Sequence, residues 1–83
     1  MSEIEIKLFT ASWCKPCRTV KEWCQERNDV QIIDVEKEAE TAEKYQIRTL
    51  PTIIIENSDG EIRRRSGNFG GDKNEFEKFL KYK

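Results

Sequence analysis

The sequence predicts a single α/β domain in which a four-stranded mixed sheet is flanked by three helices, in the order β-α-β-α-β-β-α. Two observations lead to this fold class. Residues 4–10 alternate apolar and charged side chains, as strands do, and the next segment carries Cys17, Val20 and Cys24 at helical spacing. The second half then supplies one short helix, two adjacent strands and a last helix. Because 83 residues is the size of one domain, we expect residues 1–83 to fold as a unit.

The first half of the chain contains a β-α-β unit. A strand over residues 4–10 leads into a helix over 16–28, and Pro16 suits the first helical turn because its missing N–H is no loss there. Asn28-Asp29 ends this helix, and residues 30–35 form the second strand. Such a unit crosses over with a right hand, so the two strands should be parallel.

The middle of the chain adds a short helix and a buried strand. We predict the helix over residues 38–46, with an inner face of Ala39, Ala42 and Tyr45. Residues 52–56 are almost wholly apolar, which favours a central strand covered on both faces.

The last third contains a hairpin and a capped helix. Residues 57–60 form the turn, and residues 61–66 form an edge strand whose Arg63-Arg64-Arg65 run is a solvated face. A glycine-rich loop spans residues 67–71. Asp72 caps the final helix, which has a buried face of Phe76, Phe79 and Leu80.

The charge pattern excludes several partners. Fifteen basic and sixteen acidic residues are mixed along the chain and give a net charge of −1, so we expect no nucleic-acid or membrane partner. No apolar run approaches the ~18 residues of a membrane span. Met1-Ser2-Glu3 lacks the basic start of a signal peptide. We therefore expect a cytoplasmic monomer.

The cysteines do not fit a structural staple or a metal site. Three cysteines are an odd number, and a bridge from Cys14 to Cys17 would close a very short loop. A zinc site needs four ligands, but the chain has no histidine and no second C-x-x-C pair, so we expect no metal. Cys24 is predicted to be a small buried residue; the alternative is a redox-sensitive third thiol.

The position of the C-x-x-C pair predicts redox chemistry. Cys14 follows the first strand at the start of a helix, where the partial positive charge of the helix end and the neighbouring Lys15 stabilise a thiolate. Cys17 lies one turn further on and should be more buried. Cys14 would attack a partner's disulfide and Cys17 would resolve the mixed disulfide, leaving a Cys14–Cys17 bond and no bound cofactor. Pro16 stiffens the turn; Trp13 either shields the site and offers an apolar surface or packs at the sheet edge.

Two motifs resemble the thioredoxin family. "WCKPC" between a strand and a helix is similar to its active site, and "YQIRTLPT" (residues 45–52) is similar to its Y-x-I-x-x-x-P-T segment. The resemblance implies a thioredoxin-like fold, a cis peptide bond at Pro51 opposite the cysteines, and protein-disulfide reductase activity recycled by thioredoxin reductase or glutathione. It also implies a substrate-binding surface made of Trp13, Thr49, Leu50, Pro51, Gly67 and Phe69.

The chain departs from the thioredoxin pattern in two ways. The family usually begins with an extra strand and helix, which are absent here. It also carries a buried aspartate and a partner lysine where this chain has Leu8 and Ile32. Since that acid is thought to help deprotonate the second cysteine, the proton acceptor for Cys17 is open, with water and Lys15 as candidates.

Two other functions remain open. Phe69-Gly70-Gly71-Asp72 resembles the segment with which glutaredoxins hold glutathione, which would make the chain a glutathione-dependent enzyme; the alternative is an ordinary loop and helix cap. The same fold could instead bind a partner through a surface around Trp13, Leu50 and Phe69, without redox turnover.

Overall fold

The computed structural model describes residues 4–81. Its elements follow the predicted order, with a short turn of 3-10 type at Phe69–Gly71 before the last helix. They are β1 (Glu5–Thr10), α1 (Lys15–Gln25), β2 (Val30–Asp34), α2 (Ala39–Lys44), β3 (Thr52–Asn57), β4 (Gly60–Ser66) and α3 (Lys73–Leu80). The predicted fold class, a mixed four-stranded sheet flanked by three helices, is confirmed.

The sheet has the strand order β2-β1-β3-β4. β1 pairs with β2 in parallel, with Ile6 opposite Val30, as the right-handed β-α-β unit requires. β3 runs antiparallel to both β1 and β4. The predictions that β3 is central and β4 an edge strand are therefore confirmed.

The two faces of the sheet bury different helices. The side chains that β1 and β3 direct to one face pack with α1 and α3, in a cluster that includes Ile6, Leu8, Val20, Ile53, Ile55 and Phe76. The alternate positions form the second cluster, with Phe9, Ile33 and Ile54 packed against the α2 side. Each fully buried Ile, Leu or Phe stabilises the fold by roughly 1.5–3 kcal/mol, so both faces contribute to stability.

The second helix is shorter and less buried than predicted. α2 ends at Lys44 and has no fully buried side chain: Ala42 and Tyr45 are half-buried, and Ala39 is exposed. Six residues make fewer than two helical turns, so α2 offers only a narrow apolar stripe to the sheet.

The predicted end of α1 was also wrong. The helix stops at Gln25 instead of residue 28. Arg27 donates two hydrogen bonds to the Asp29 carboxylate, at 2.8 and 2.7 Å, within the turn that leads to β2.

A buried ion pair lies on the α2 face. Lys7 is only 8% exposed, because β1 directs its side chain under Tyr45, and its ammonium pairs with the Glu56 carboxylate on β3. The Tyr45 hydroxyl donates to the same carboxylate at 2.7 Å. Burial opposes charge on Lys7, but the hydrogen bonds to Glu56, Glu5 and Tyr45 outweigh it and raise the pKa of Lys7.

The last helix begins as predicted. The Asp72 carboxylate accepts a hydrogen bond from the Asn74 N–H at 2.9 Å and caps α3. Phe76 and Leu80 are buried and Phe79 is half-buried.

The three arginines of β4 do more than face solvent. Arg64 forms an ion pair with Glu61 at 2.7 Å, Arg63 donates to the Phe79 carbonyl at 3.2 Å, and the Arg65 guanidinium lies over the Phe69 ring. No helix between residues 4 and 81 combines the length and the apolar character that a membrane crossing requires.

Candidate active site

Cys14 is the cap residue of α1. β1 ends at Thr10, a turn closes with a 3.2 Å hydrogen bond from the Cys14 N–H to the Ala11 carbonyl, and the helix begins at Lys15. The Cys14 backbone is extended, and no side chain caps the helix. Because the first turn contains no acidic residue, nothing there neutralises the partial positive charge at the helix end.

Cys14 and Cys17 are joined by a disulfide bond. Their Cα atoms lie 5.3 Å apart on one helical turn, within the range that disulfides require. Cys14 is 6% exposed and Cys17 is 1% exposed, so the second sulfur is the more buried, as predicted.

The sulfurs lie in an apolar setting. Ala11, Cys14 and Cys17 form a small buried cluster against Val35 and Leu50. Leu8 is fully buried, and Ile32 packs against the same α1 and α3 cluster. Both residues therefore lie among apolar side chains, at the positions where the thioredoxin pattern has an aspartate and a lysine. Among residues 4–81, no Asp or Glu side chain is fully buried.

The segment before β3 borders the cysteine cluster. The Leu50–Pro51 peptide bond is cis, and Pro51 is fully buried. The Thr52 hydroxyl donates to the Thr49 carbonyl at 2.7 Å, and the Gly67 N–H donates to the Pro51 carbonyl at 2.8 Å. These bonds hold the segment in place while the Leu50 side chain packs beside the cysteine cluster.

Trp13 and Phe69, both predicted to contact substrate, have opposite surroundings. Trp13 is 67% exposed and lies at the edge of the site. Phe69 is 4% exposed and packs against Phe76 and Phe79, with ring centroids 5.6 and 5.7 Å away. The Phe69 ring is therefore part of the core and not an accessible surface. Its backbone is left-handed, at a φ of 59°, which is uncommon for a residue other than glycine.

The segment Gly70-Gly71-Asp72 after β4 gives the site no unpaired carboxylate. Asp72 uses its carboxylate to cap α3, which agrees with the helix-cap alternative for Gly70-Gly71-Asp72. Gly67 adopts a φ of 97° as its N–H bonds to Pro51, a conformation that favours glycine.

A groove of about 850 Å³ opens beside Cys14. Its apolar part is formed by side chains from four separate segments, Pro16, Val35, Ala39, Ala42, Ile47 and Leu50. Its polar and aromatic margin is formed by Trp13, Lys15, Glu43 and Arg48. Sequence reasoning did not predict six of the lining residues: Val35, Ala39, Ala42, Glu43, Ile47 and Arg48. For Ile47 and Arg48, the position inside the "YQIRTLPT" motif was a signal that could have indicated them.

The third cysteine lies away from the groove. Cys24 is 1% exposed in the cluster beneath α1 and α3, which confirms the prediction of a small buried residue. Burial raises the pKa of the Cys24 thiol to about 12, so it is protonated near neutral pH. Within the described residues, no three His, Cys, Asp or Glu side chains are placed to hold a metal ion.

Comparison with known proteins decides the family. The thioredoxin family model matches residues 2–82, which is nearly the whole chain. The chain belongs to the thioredoxin family. It is 34% identical over 78 residues to thioredoxin H2-1 of Oryza sativa subsp. japonica, covering 87% of this chain and 54% of that protein. It is 37% identical over 68 residues to thioredoxin of Bacillus subtilis, covering 74% and 64%.

A solved thioredoxin has the same architecture. The crystal structure of Plasmodium falciparum thioredoxin superposes with a TM-score of 0.77 at 26% identity, covering 99% of this chain and 73% of that one. The chain thus spans between half and two thirds of the length of the two curated relatives.

Proposed function

We propose that this thioredoxin-family chain is a thiol–disulfide oxidoreductase that reduces protein disulfides. The observation that carries the proposal is the Cys14–Cys17 disulfide at the start of α1, with its more exposed sulfur beside an open groove. Family membership supports the same chemistry.

The reaction proceeds by two exchanges. The Cys14 thiolate attacks one sulfur of the partner's disulfide, and the other partner sulfur leaves as a thiolate that takes a proton from water. Cys17 then gives its proton to water and attacks the Cys14 sulfur, and the second partner sulfur leaves as a thiolate that takes up a proton from water. The partner gains two electrons and becomes a dithiol, and the chain is left with the Cys14–Cys17 bond.

The helix end gives Cys14 its role as the attacking group. Unpaired N–H groups at the start of α1 and the ammonium of Lys15 favour the thiolate over the thiol. Pro16, the second residue of the helix, keeps this turn rigid. Cys17 is held in an apolar cluster, where ionisation is disfavoured, so it acts second.

The groove positions the partner. Among the described residues, no hydrogen bond engages the N–H or the C=O of Leu50, and in this proposal an extended peptide of the partner pairs with both. Thr49, Pro51 and Gly67 fix the backbone around Leu50, and Trp13 offers an exposed apolar surface next to Cys14. Phe69 supports this arrangement from the core.

Reduction of insulin by dithiothreitol tests the proposal. The wild-type chain should accelerate precipitation of the insulin B chain, Cys14→Ser should run at the buffer rate, and Cys17→Ser should accumulate a mixed disulfide visible by mass spectrometry. Cys24→Ala is the matched control and should keep the wild-type rate. A Cys14→Ser variant as fast as wild type would sink the proposal.

The recycling reductant is a second part of the proposal. A thioredoxin reductase or glutathione restores the dithiol, and the chain acts as a cytoplasmic monomer. The free thiol of Cys24 suits a reducing compartment, and one chain contains both sulfurs and the groove. Recycling by NADPH with thioredoxin reductase, compared with reduced glutathione at equal turnover, distinguishes the two reductants, and size-exclusion chromatography tests the monomer.

A further inference from the structure

The shape and charge of the groove beside Cys14 bear on which partner disulfides it can accept. Its apolar part is broad enough for a whole side chain and lies within reach of the reactive sulfur. A partner disulfide attacked by Cys14 must place the residues next to its cysteine over this groove. The inference that follows rests on the proposed function and narrows its substrate class.

Two cations on the margin of the groove have no partner in the described chain. Lys15 and Arg48 are both exposed, and neither forms an ion pair within residues 4–81. Other exposed basic residues, such as Arg18, Lys21 and Lys37, are likewise in no ion pair of residues 4–81, whereas Arg27, Arg64 and Lys73 contact carboxylates at 2.6–2.7 Å. Lys15 and Arg48 differ from them in lining the groove. The groove therefore presents charge that the fold itself leaves uncompensated.

One carboxylate shares the lining of the groove with the two cations. It belongs to Glu43 on α2. Glu36, which is not a lining residue, accepts hydrogen bonds from the Ser12 N–H and hydroxyl, at 3.3 and 2.8 Å, and keeps its negative charge. The margin thus contains two positive groups and one negative group, which complements a carboxylate on the partner.

We propose that the groove selects protein disulfides whose attacked cysteine is flanked by a large apolar residue and by Asp or Glu. The apolar residue packs on Val35, Ala42 and Ile47, and the carboxylate pairs with Arg48 and Lys15. Cys14 and Cys17 are oxidised to their disulfide while the peptide's cystine is reduced to two thiols, as in the proposed reaction.

The selectivity is electrostatic and modest. Exposed ion pairs and steering by two cations favour an acidic over a basic peptide by about three- to tenfold in the second-order rate constant. At 0.1 M salt, exposed charges more than about 10 Å apart are largely screened from each other, and this distance shortens as salt is added. The ratio should therefore fall toward one at high ionic strength.

Matched peptides test the inference. Synthetic peptides with one intramolecular disulfide and a leucine next to the cystine differ only in a flanking Glu or Lys, and a third peptide replaces the leucine with Ser. The pre-reduced protein is mixed with each peptide, and its oxidation is followed without added reductant. We expect the Leu-Glu peptide to be reduced faster than both the Leu-Lys and the Ser-Glu peptide. Glutathione disulfide, which lacks the large apolar side chain, should also be reduced more slowly than the Leu-Glu peptide.

Three variants locate the effect. Arg48→Glu should abolish or reverse the Glu-over-Lys ratio, and Glu43→Gln should raise it. Lys21→Glu makes the same change of charge at an exposed site of α1 outside the groove and should leave the ratio within twofold of wild type. Equal effects of Lys21→Glu and Arg48→Glu would overturn the inference, because net charge alone would then explain the ratio.

The outcomes separate the two proposals. If no peptide is reduced and the protein stays a dithiol, the proposed function fails. If all peptides are reduced at the same rate, the oxidoreductase stands and the groove's selectivity is overturned. Faster reduction of glutathione disulfide than of the Leu-Glu peptide would also overturn it, in favour of a glutathione site.

Discussion

The Lys7 ammonium on β1 and the Glu56 carboxylate on β3 form an ion pair diagonally across neighbouring antiparallel strands, beneath the Tyr45 ring. Both charged side chains are largely removed from water, at 11% and 16% exposure. Burial alone would raise the pKa of Glu56, but the hydrogen bonds from Lys7 and Tyr45 outweigh it and hold that pKa below its ordinary value.

Neutralising Glu56 should destabilise the fold. Glu56→Gln leaves the buried Lys7 ammonium with only the more exposed Glu5 carboxylate, 3.2 Å away, as a counter-charge. We therefore expect a loss of about 1–3 kcal/mol in the free energy of unfolding, measured by urea denaturation at pH 7. Glu61→Gln, which breaks the exposed pair with Arg64, is the control and should cost less than about 1 kcal/mol. Equal losses in the two variants would contradict a stabilising buried pair.

The Glu56 contribution should disappear in acid. Because the folded pKa of Glu56 lies below the ordinary value of 4.5, its stabilisation is complete above that value and is lost as the pH falls through the folded pKa. The difference in unfolding free energy between wild type and Glu56→Gln should therefore shrink from pH 7 to pH 3. A difference that grows toward acid would mean that the folded pKa is raised.

Cys24 should resist alkylation in the folded protein. Its burial and its pKa of about 12 leave almost no accessible thiolate at pH 8. In a Cys14→Ser/Cys17→Ser background, iodoacetamide should label Cys24 at least ~100-fold more slowly than in 6 M guanidinium, as read by mass spectrometry. Rapid labelling of the native protein would favour the redox-sensitive thiol instead.

Resolution of the mixed disulfide should depend steeply on pH. Cys17 is buried in an apolar cluster with Ala11, against which Val35 and Leu50 pack, and no Asp or Glu side chain of residues 4–81 is fully buried. We therefore expect no buried acid to take its proton. The first-order rate at which Cys17 displaces a partner from Cys14 should rise about tenfold per pH unit between 7 and 8.5, because only the thiolate attacks. Rapid acid quenching measures this rate; a flat profile would indicate an internal base.

Removing the cation next to Cys14 should make the protein more reducing. Lys15 favours the thiolate of the dithiol form, so Lys15→Gln should lower the redox potential by about 5–20 mV, given 30 mV per ~1.4 kcal/mol for two electrons. Equilibration with a glutathione buffer gives the potential. Arg18→Gln, at an exposed position of the same helix outside the groove, is the control and should leave the redox potential closer to that of wild type. A higher redox potential for Lys15→Gln than for wild type would contradict this role of Lys15.

Local signals predicted the redox pair and most of the fold. Three predictions depended only on neighbouring residues: the helix start at Pro16, the helical spacing through Cys24 and the buried third strand. All three agree with the structure. The helix cap at Asp72 is equally local.

Features made by distant segments were not predicted. The burial of Lys7 was not predicted from the sequence, because its ion pair depends on a residue 49 positions away and on the cover of both faces of β1. The resemblance to thioredoxins implied that Phe69 is part of the substrate-binding surface, whereas its ring is 4% exposed and lies in the core. The groove draws on four segments that only the sheet order brings together.

The shallow seating of α2 has a consequence for the range of partners. This helix forms one wall of the groove through Ala39, Ala42 and Glu43, yet it contributes no fully buried side chain. Segments with few buried contacts open at the lowest free energy, so this wall can yield outward while the sheet and the sulfurs stay rigid. We expect the chain to admit residues of differing bulk without losing the alignment of Cys14 with the bond it attacks.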